Sequence, residues 1–347
     1  MKILITGSNG FLGSHLIDWV VQKNCEVYGL DRPNSSFQNL IHYTDGKIKV
    51  ENSEKREFCE SRILIKSNQK KLAFLECDVT NQTLLEEIIH AIKPDYIFHF
   101  GAQPYVIQSW KDPITTMEVN VIGTINIFEP IKRYNLKTRV IVACSATEFG
   151  SSANIGRPLR EDDPLLAVHP YGISKIATEL LSRQYYLNFN IETVNLRFFN
   201  LTGLRRKNDA PSDFIDSVVQ IQLGLKESPL KVGNLESYRD FLDVQDAVQA
   251  IWLSAIRGSP GETYHVCSNK KTRIGEILDW ILALSSKQIT VVQDESKIRQ
   301  TDEDIIIGDN SKITSELGWT PKKALRDTIK EMYEEKINYY KKLKNYS

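Results

Sequence analysis

The sequence has little of what marks a secreted, membrane-spanning or nucleic-acid-binding chain. Its 347 residues include only five cysteines, Cys25, Cys59, Cys77, Cys144 and Cys267. They form no close C-x-x-C pair and keep no metal-ligand spacing with histidine, which argues against a disulfide framework and against a metal site. No apolar run approaches the roughly eighteen residues needed to cross a bilayer. An excess of either charge is also missing, since 44 basic residues balance 44 acidic ones. No global field therefore draws the chain to nucleic acid or to an anionic membrane, although local basic clusters can still bind phosphate. Internal repeats and low-complexity linkers are absent as well. The opening "MKILITGSNG" reads as a buried strand and its turn rather than a signal peptide, so a cytoplasmic protein with reduced thiols is expected.

What is present is an alternation. Short β-branched apolar runs, "KILITG", "CEVYGLD", "KLAFLECDV", "YIFHFGA" and "RVIVACSA", are mostly separated by longer helical patterns. Continuous apolar strands suit burial on both faces, and helical crossovers suit parallel pairing. The expected fold is α/β, a Rossmann-type doubly wound parallel sheet. Residues 46–71, rich in Lys, Glu and Ser, break the rhythm and read as a surface insertion. After "IETVNLRFFN" the pattern loosens into basic loops and short helices. "GETYHVCS" then reads as a last sheet strand and "RIGEILDWILALS" as an amphipathic helix. The expected division is a dinucleotide-binding domain over 1–199 plus 243–267 and a smaller, discontinuous α/β substrate domain over 200–242 plus 268–343.

"GSNGFLG" sets Gly7, Gly10 and Gly13 directly between the first strand and the first helix. Gly7 permits a tight turn, Gly10 lets the backbone approach a pyrophosphate, and Gly13 allows close helix–strand packing, while the helix N-terminus favours the negative charge. Asp31 closes the second strand, where a carboxylate accepts hydrogen bonds from ribose hydroxyls and repels a 2′-phosphate. NAD is therefore expected, with NADP the alternative that the neighbouring Arg32 keeps open, since a guanidinium can stack on adenine or hold that phosphate. Asp78, in "CDVT", either accepts from the adenine amine or caps the next helix.

Tyr171 and Lys175, in "YGISK", stand one helical turn apart and project from one face. An ammonium there stabilises phenolate and lowers the tyrosine from its reference pKa near 10. Tyr171 can then act as base toward a hydroxyl or as acid toward a ketone, and Lys175 can also hold the nicotinamide ribose. Ser145, ending an upstream strand in "CSATEFG", can bond the same reacting oxygen. The glycines, Ser145, Tyr171 and Lys175, in this order, resemble the extended short-chain dehydrogenase/reductase family. "GAQPYVIQSWKDP" and "NVIGTINIFE" are similar to that family's fourth and fifth units. The resemblance implies hydride transfer with Ser145, Tyr171 and Lys175 as catalytic residues. It places Phe11, Leu12, Val79, Gly101 and Ala102 along the cofactor with the residues above, and Gln103 and Thr147 beside the substrate. Relatives pair the helix after Asp112 with the helix bearing Tyr171 across a two-fold axis, so a homodimer is expected.

The second half resembles the GDP-sugar branch. "VGNLES-Y-RDF-x-DV" and "GETYHVCSNKKTRIGEILD" are similar to GDP-6-deoxy-mannose reductases and GDP-mannose 4,6-dehydratases. The implied partner is a GDP-sugar, with no nucleic acid and no membrane. Asn200, Arg205, Lys231, Asn234, Arg239 and Arg299 are the expected substrate contacts, because arginines on separate loops suit diphosphate and ribose. Dehydratases of the family carry an acid–base glutamate three residues before the glycine that ends "CSATEFG". That position is Thr147 here. Glu148 lies one residue later and, in extended chain, points the other way, although it remains a candidate substrate contact. The pattern favours C4 reduction of a GDP-4-keto-6-deoxy sugar. A GDP-sugar epimerase or C4 dehydrogenase is the alternative, then a 4,6-dehydratase with Glu148 repositioned, with a non-catalytic NAD-binding scaffold last. Cys144, Phe149, His169 and Gln300 depart from the usual family residues, and His169 reads as a loop histidine near the pocket or as a second acid–base group.

Overall fold

The computed structural model describes residues 1–43, 63–67, 71–297 and 305–346. The first seven strands are β1 (Lys2–Thr6), β2 (Glu26–Asp31), β3 (Ile63–Ser67), β4 (Leu72–Glu76), β5 (Tyr96–His99), β6 (Arg139–Ser145) and β7 (Thr193–Phe198). With the strand Thr263–Val266 they form one sheet in the order Thr263–Val266, β7, β6, β5, β1, β2, β4, β3. Every pairing in it is parallel except β3 on β4. The expected insertion therefore differs from a plain surface excursion, because its residues 63–67 extend the sheet as an antiparallel edge strand. The rest of that segment up to residue 70 lies outside the described residues.

The apolar runs form strands because both faces of the sheet are covered. Ile3 and Ile5 of β1 pack with Leu16 and Ile17 of the helix Phe11–Val20 and with Val248 and Ile251 of the helix Val244–Arg257. Leu4 points the other way, to Ile88 and Ile89 of Gln82–Ile92 and to Ile127 and Ile131 of Gly123–Arg133. All three β1 side chains are fully buried, and each contributes about 1.5–3 kcal/mol in removed apolar surface. From β1 the chain winds outward through β2 and β4 on one side, and later through β5, β6 and β7 on the other. The carboxyl ends of β1 and β5 thus flank the point where the winding reverses, which is where such sheets open a crevice.

A separate apolar cluster lies in the second half. Ile215, Val218 and Val219 of the helix Ala210–Gln222 pack with Ile277, Leu278 and Ile281 of Ile274–Leu284 and with Ile329 and Met332 of Leu325–Tyr346. Small strand pairs border it, Leu230–Val232 with Val291–Gln293 and Tyr238–Arg239 with Thr272–Arg273 and Ile305–Ile306.

Local chemistry sets the ends of the helices that matter here. The 20-residue helix Pro170–Phe189 starts with proline at its first turn, and the Nδ1 of His169 accepts from the Gly172 amide at 2.9 Å. His169 is therefore a helix cap. The long helix after Asp112 is interrupted by one π-turn, Glu118–Ile122, which turns Asn120 inward. Between β6 and the helix of Tyr171, Gly150 adopts φ +49°, and a Cβ there would lie 2.1 Å from the Leu166 carbonyl oxygen. Gly150→Ala should therefore destabilise the fold by more than about 1 kcal/mol in denaturant titration. An unchanged midpoint would contradict this account of the loop.

Candidate active site

The glycine turn is built for a close anionic guest. Gly7 has φ +66°, and a Cβ on Gly13 would sit 2.3 Å from the Gly7 carbonyl oxygen, so side chains at these positions would fill the turn. The helix Phe11–Val20 begins at Gly10, which aims its free amides at the same place. Leu12 is half-buried on the first turn of that helix, and Phe11 meets the His15 ring edge-on. Asp31 is pinned beside the turn: Oδ2 accepts from the Asn9 amide at 2.8 Å and Oδ1 from the Arg32 amide at 2.9 Å. Burial pushes its pKa up, and those two amides oppose the shift. Arg32 itself is exposed. These residues fit a dinucleotide, with the pyrophosphate at the helix start and a ribose at Asp31.

The remaining cofactor-side expectations are met unevenly. Asp78 accepts from the amide and hydroxyl of Thr80, and the next helix is capped instead by Asn81, whose Oδ1 accepts from Leu84. Val79 packs so tightly on Gly123 that a Cβ there would come within 2.7 Å of it. The amide of Gly101 donates to Thr6 Oγ1 at 2.9 Å, and Ala102 follows it, half-buried. The amide of Gln103 donates to Asn120 Oδ1 at 2.8 Å, and its side-chain amide donates to Thr116 Oγ1. Sequence reasoning missed Asn9 and Asn120. Asn9 anchors Ser35 and Asn39, and Asn120 reaches Ser174 Oγ at 2.9 Å from inside the π-turn. Nothing in the sequence pattern announces a π-turn.

Ser145 and Tyr171 are brought side by side, with Lys175 one turn further along the tyrosine helix, and the glycine after the tyrosine explains how. A Cβ on Gly172 would lie 2.7 Å from the Thr147 carbonyl oxygen, so only glycine lets the tyrosine helix press against the turn after Ser145. The Ser145 hydroxyl lies near enough to Tyr171 to oppose a rise in the phenol's pKa, but desolvation dominates and pushes it up to about 12. The expected lowering by Lys175 is corrected here. The Lys175 ammonium donates to the Ala143 carbonyl of β6 at 2.7 Å and is buried, which lowers its own pKa. The cation that does act on the phenol is Arg206, whose guanidinium lies 5.0 Å over the Phe11 ring. At neutral pH Tyr171 is a held proton, poised to donate.

Glu148 requires a second correction. The chain after Ser145 is not extended. It coils into a short helical turn, Ala146–Glu148, which swings the carboxylate back beneath the strand end. Glu148 is fully buried, so it is not a substrate contact. Its Oε1 accepts from the Ser145 amide at 2.7 Å, and its Oε2 lies 3.4 Å from Arg197 Nε. Arg197 in turn forks onto Glu179, at 2.8 and 2.6 Å. Burial and the Glu179 charge push the Glu148 pKa well up, against the pull of Arg197. Thr147 faces the half-open side and its hydroxyl donates to Ser145 Oγ at 2.9 Å.

On the substrate side the expected residues scatter. Arg205 pairs with Asp18 at 2.7 Å, which ties it to the cofactor helix. Asn200 donates to the Asp240 carbonyl, and Asn234 Oδ1 accepts from the Glu236 amide. Lys231 is exposed on the strand Leu230–Val232, and Arg239 Nη1 donates to the Tyr238 carbonyl. Arg299 and Gln300 lie outside the described residues.

This geometry orders the hydroxyls by role. Tyr171→Phe deletes the transferable proton and should lower hydride transfer about 10²–10⁴-fold. Ser145→Ala removes one hydrogen bond to the developing alkoxide and should fall between that loss and wild type. With the phenol pushed to about 12, ketone reduction should hold level across neutral pH and fall only as the phenol ionises. Stopped-flow nicotinamide absorbance over pH checks all three outcomes.

The family profile described as GDP-mannose 4,6 dehydratase matches residues 4–332. A GDP-6-deoxy-D-mannose reductase of Pseudomonas aeruginosa is 26% identical over 238 residues, spanning 68% of this chain and 78% of the relative. A GDP-mannose 4,6 dehydratase of Cricetulus griseus is 28% identical over 353 residues, spanning 95% of this chain and 89% of the relative. The solved structure of RMD from Pseudomonas aeruginosa complexed with NADPH superposes with a TM-score of 0.79 at 22% identity, over 97% of this chain and 99% of that one. With a dinucleotide turn, a Ser–Tyr–Lys set and a match along nearly its full length, the chain belongs to the GDP-mannose 4,6 dehydratase family of NAD(P)-dependent nucleotide-sugar enzymes.

Proposed function

We propose that this enzyme reduces the C4 ketone of a GDP-linked 4-keto-6-deoxy hexose. One observation carries the reading: the carboxylate a dehydratase would turn toward C5 and C6 of the sugar is missing. Thr147 stands at that position, and Glu148 is buried behind Ser145. Water loss needs an acid–base group against the sugar, whereas ketone reduction needs only a proton donor and a hydride. Gly7, Gly10, Gly13 and Asp31 would hold the cofactor, which supplies the hydride when bound. Tyr171 gives its proton to the C4 oxygen, Ser145 donates a hydrogen bond to that oxygen, and Lys175, one turn further along the same helix, would hold the nicotinamide ribose. The apolar cluster around Ile215, Ile277 and Ile329 supports the strands carrying Lys231 and Arg239, and we assign the nucleotide-sugar side to that half.

A second reading is favoured by Asp31, which is set for ribose hydroxyls and against a 2′-phosphate. An enzyme that keeps NAD bound and returns the hydride would epimerise C4 instead of reducing it. The described residues contain no helix long and apolar enough to cross a membrane. The four described cysteines are buried and unpaired, which suits a reducing compartment.

Mass spectrometry of GDP-mannose and of its 4-keto-6-deoxy product, each incubated with the protein and cofactor, separates these readings. A gain of two hydrogens on the ketone with consumption of reduced cofactor is expected. Loss of water from GDP-mannose would sink the reductase reading, and a mass-neutral isomer with NAD still bound would replace it with the epimerase.

The surface supports a homodimer. Ile107, Trp110, Ile114 and Ile122 of the segment 106–122 are exposed, as are Ile173 and Leu180 of the tyrosine helix. Such a contiguous apolar face suits an isologous interface. Light scattering at micromolar concentration should give twice the monomer mass, and Ile114→Asp with Leu180→Asp should return monomer.

A further inference from the structure

Behind Ser145 stands a carboxyl for which the hydride-transfer chemistry has no direct use. Glu148 joins three elements at once. Its Oε1 holds the Ser145 amide at the end of β6. Its Oε2 has no hydrogen-bond partner and faces Arg197 of β7 at 3.4 Å. Arg197 grips Glu179, which lies on the same helix as Tyr171 and Lys175. Cys144, Glu148 and Glu179 would together offer a cation three ligands within 4.8 Å, but the guanidinium already supplies the positive charge there.

The turn that Glu148 closes decides what Ser145 can do. A serine hydroxyl has one proton to give and two acceptor sites. Thr147 takes both sites, with its amide at 3.3 Å and its hydroxyl at 2.9 Å. The Ser145 proton is thereby left to donate outward, toward the tyrosine and the reacting oxygen. We propose that Glu148 is a positioning residue: by closing the turn between the Ser145 amide and the Arg197–Glu179 pair, it makes Ser145 an obligate hydrogen-bond donor at the reacting oxygen. The proposal rests on the hydride-transfer reading and not on which sugar is reduced. In either charge state the carboxyl keeps an oxygen that accepts from the Ser145 amide. Glutamine carries that same acceptor.

The test compares Glu148→Leu, Glu148→Gln and Thr147→Val on whichever nucleotide sugar the wild type turns over. Glu148→Leu should lower kcat about 10–100-fold, the scale of a misplaced catalytic group, with KM and NADH affinity within about threefold. Glu148→Gln should recover at least about tenfold of that loss, and Thr147→Val should lower kcat alone by about tenfold. The idea is overturned if Glu148→Leu keeps its kcat, if Gln is as slow as Leu, or if kcat and NADH affinity fall together. Should Glu148→Leu not fold, an unimpaired Thr147→Val overturns it. Crystal structures of Glu148→Gln and Thr147→Val are read without any substrate. The turn should stay closed in the first, and in the second the Ser145 hydroxyl should rotate away from Tyr171; a Ser145 unmoved in the second overturns the proposal. If the GDP-4-keto sugar is not reduced but another nucleotide sugar is, the reductase reading fails while this one is decided on that sugar.

Discussion

The ion pair of Arg197 with Glu179 is the constraint on which the catalytic end depends. Both side chains are buried, and a buried charge persists only when it is paired and its remaining hydrogen-bond sites are met. The fork geometry does both at once, with Arg197 also donating to the Glu161 carbonyl. Because one partner lies on β7 and the other on the helix Pro170–Phe189, the pair fixes that helix against the sheet. Removing Arg197 would leave the Glu179 carboxylate as an unpaired buried charge, a loss of about 3–5 kcal/mol. Tyr171 and Lys175 inherit their positions from this contact.

The cofactor end depends on shape more than charge. The turn from Gly7 to Gly13 leaves no room for side chains, and its free amides point where a pyrophosphate would lie. Asp31 is held to it by the Asn9 amide, so the ribose side and the phosphate side move as one piece. Arg205, paired with Asp18 on the glycine-turn helix, extends the same rigid unit to the loop after β7. That loop also carries Arg206, which lies over Phe11 and acts on the Tyr171 phenol. Cofactor turn and Tyr171 are therefore linked through a segment whose arginines read, in one dimension, as contacts to the nucleotide sugar.

Strongly local patterns were legible in the amino-acid order. Strands buried on both faces must be continuous apolar runs, so "KILITG" and "RVIVACSA" announce themselves, and the glycine spacing follows from a turn too tight for side chains. The edge strand Ile63–Ser67 was not legible, because it sits in a polar stretch and is paired on one side only. Ser145, Tyr171 and Lys175 are legible as candidates from their order in the chain, but the protonation of the tyrosine is not. Helical spacing places Lys175 one turn from Tyr171, but its ammonium donates instead to a carbonyl of β6 that is distant in sequence.

By itself, then, the sequence determined the doubly wound sheet and the dinucleotide turn, since each follows from periodicity or from contacts within a few residues, while Ser145, Tyr171 and Lys175 stand out only through the family resemblance that their order carries. Only the tertiary structure decided where Glu148 points. Its direction depends on whether the chain after Ser145 stays extended or coils into a turn, and local propensity does not choose between them. Arg197, 49 residues further along the chain, supplies the buried positive charge that the carboxyl faces in the coiled form. A buried ionisable group goes where its partner is, and partners brought together by folding are invisible to spacing along the chain.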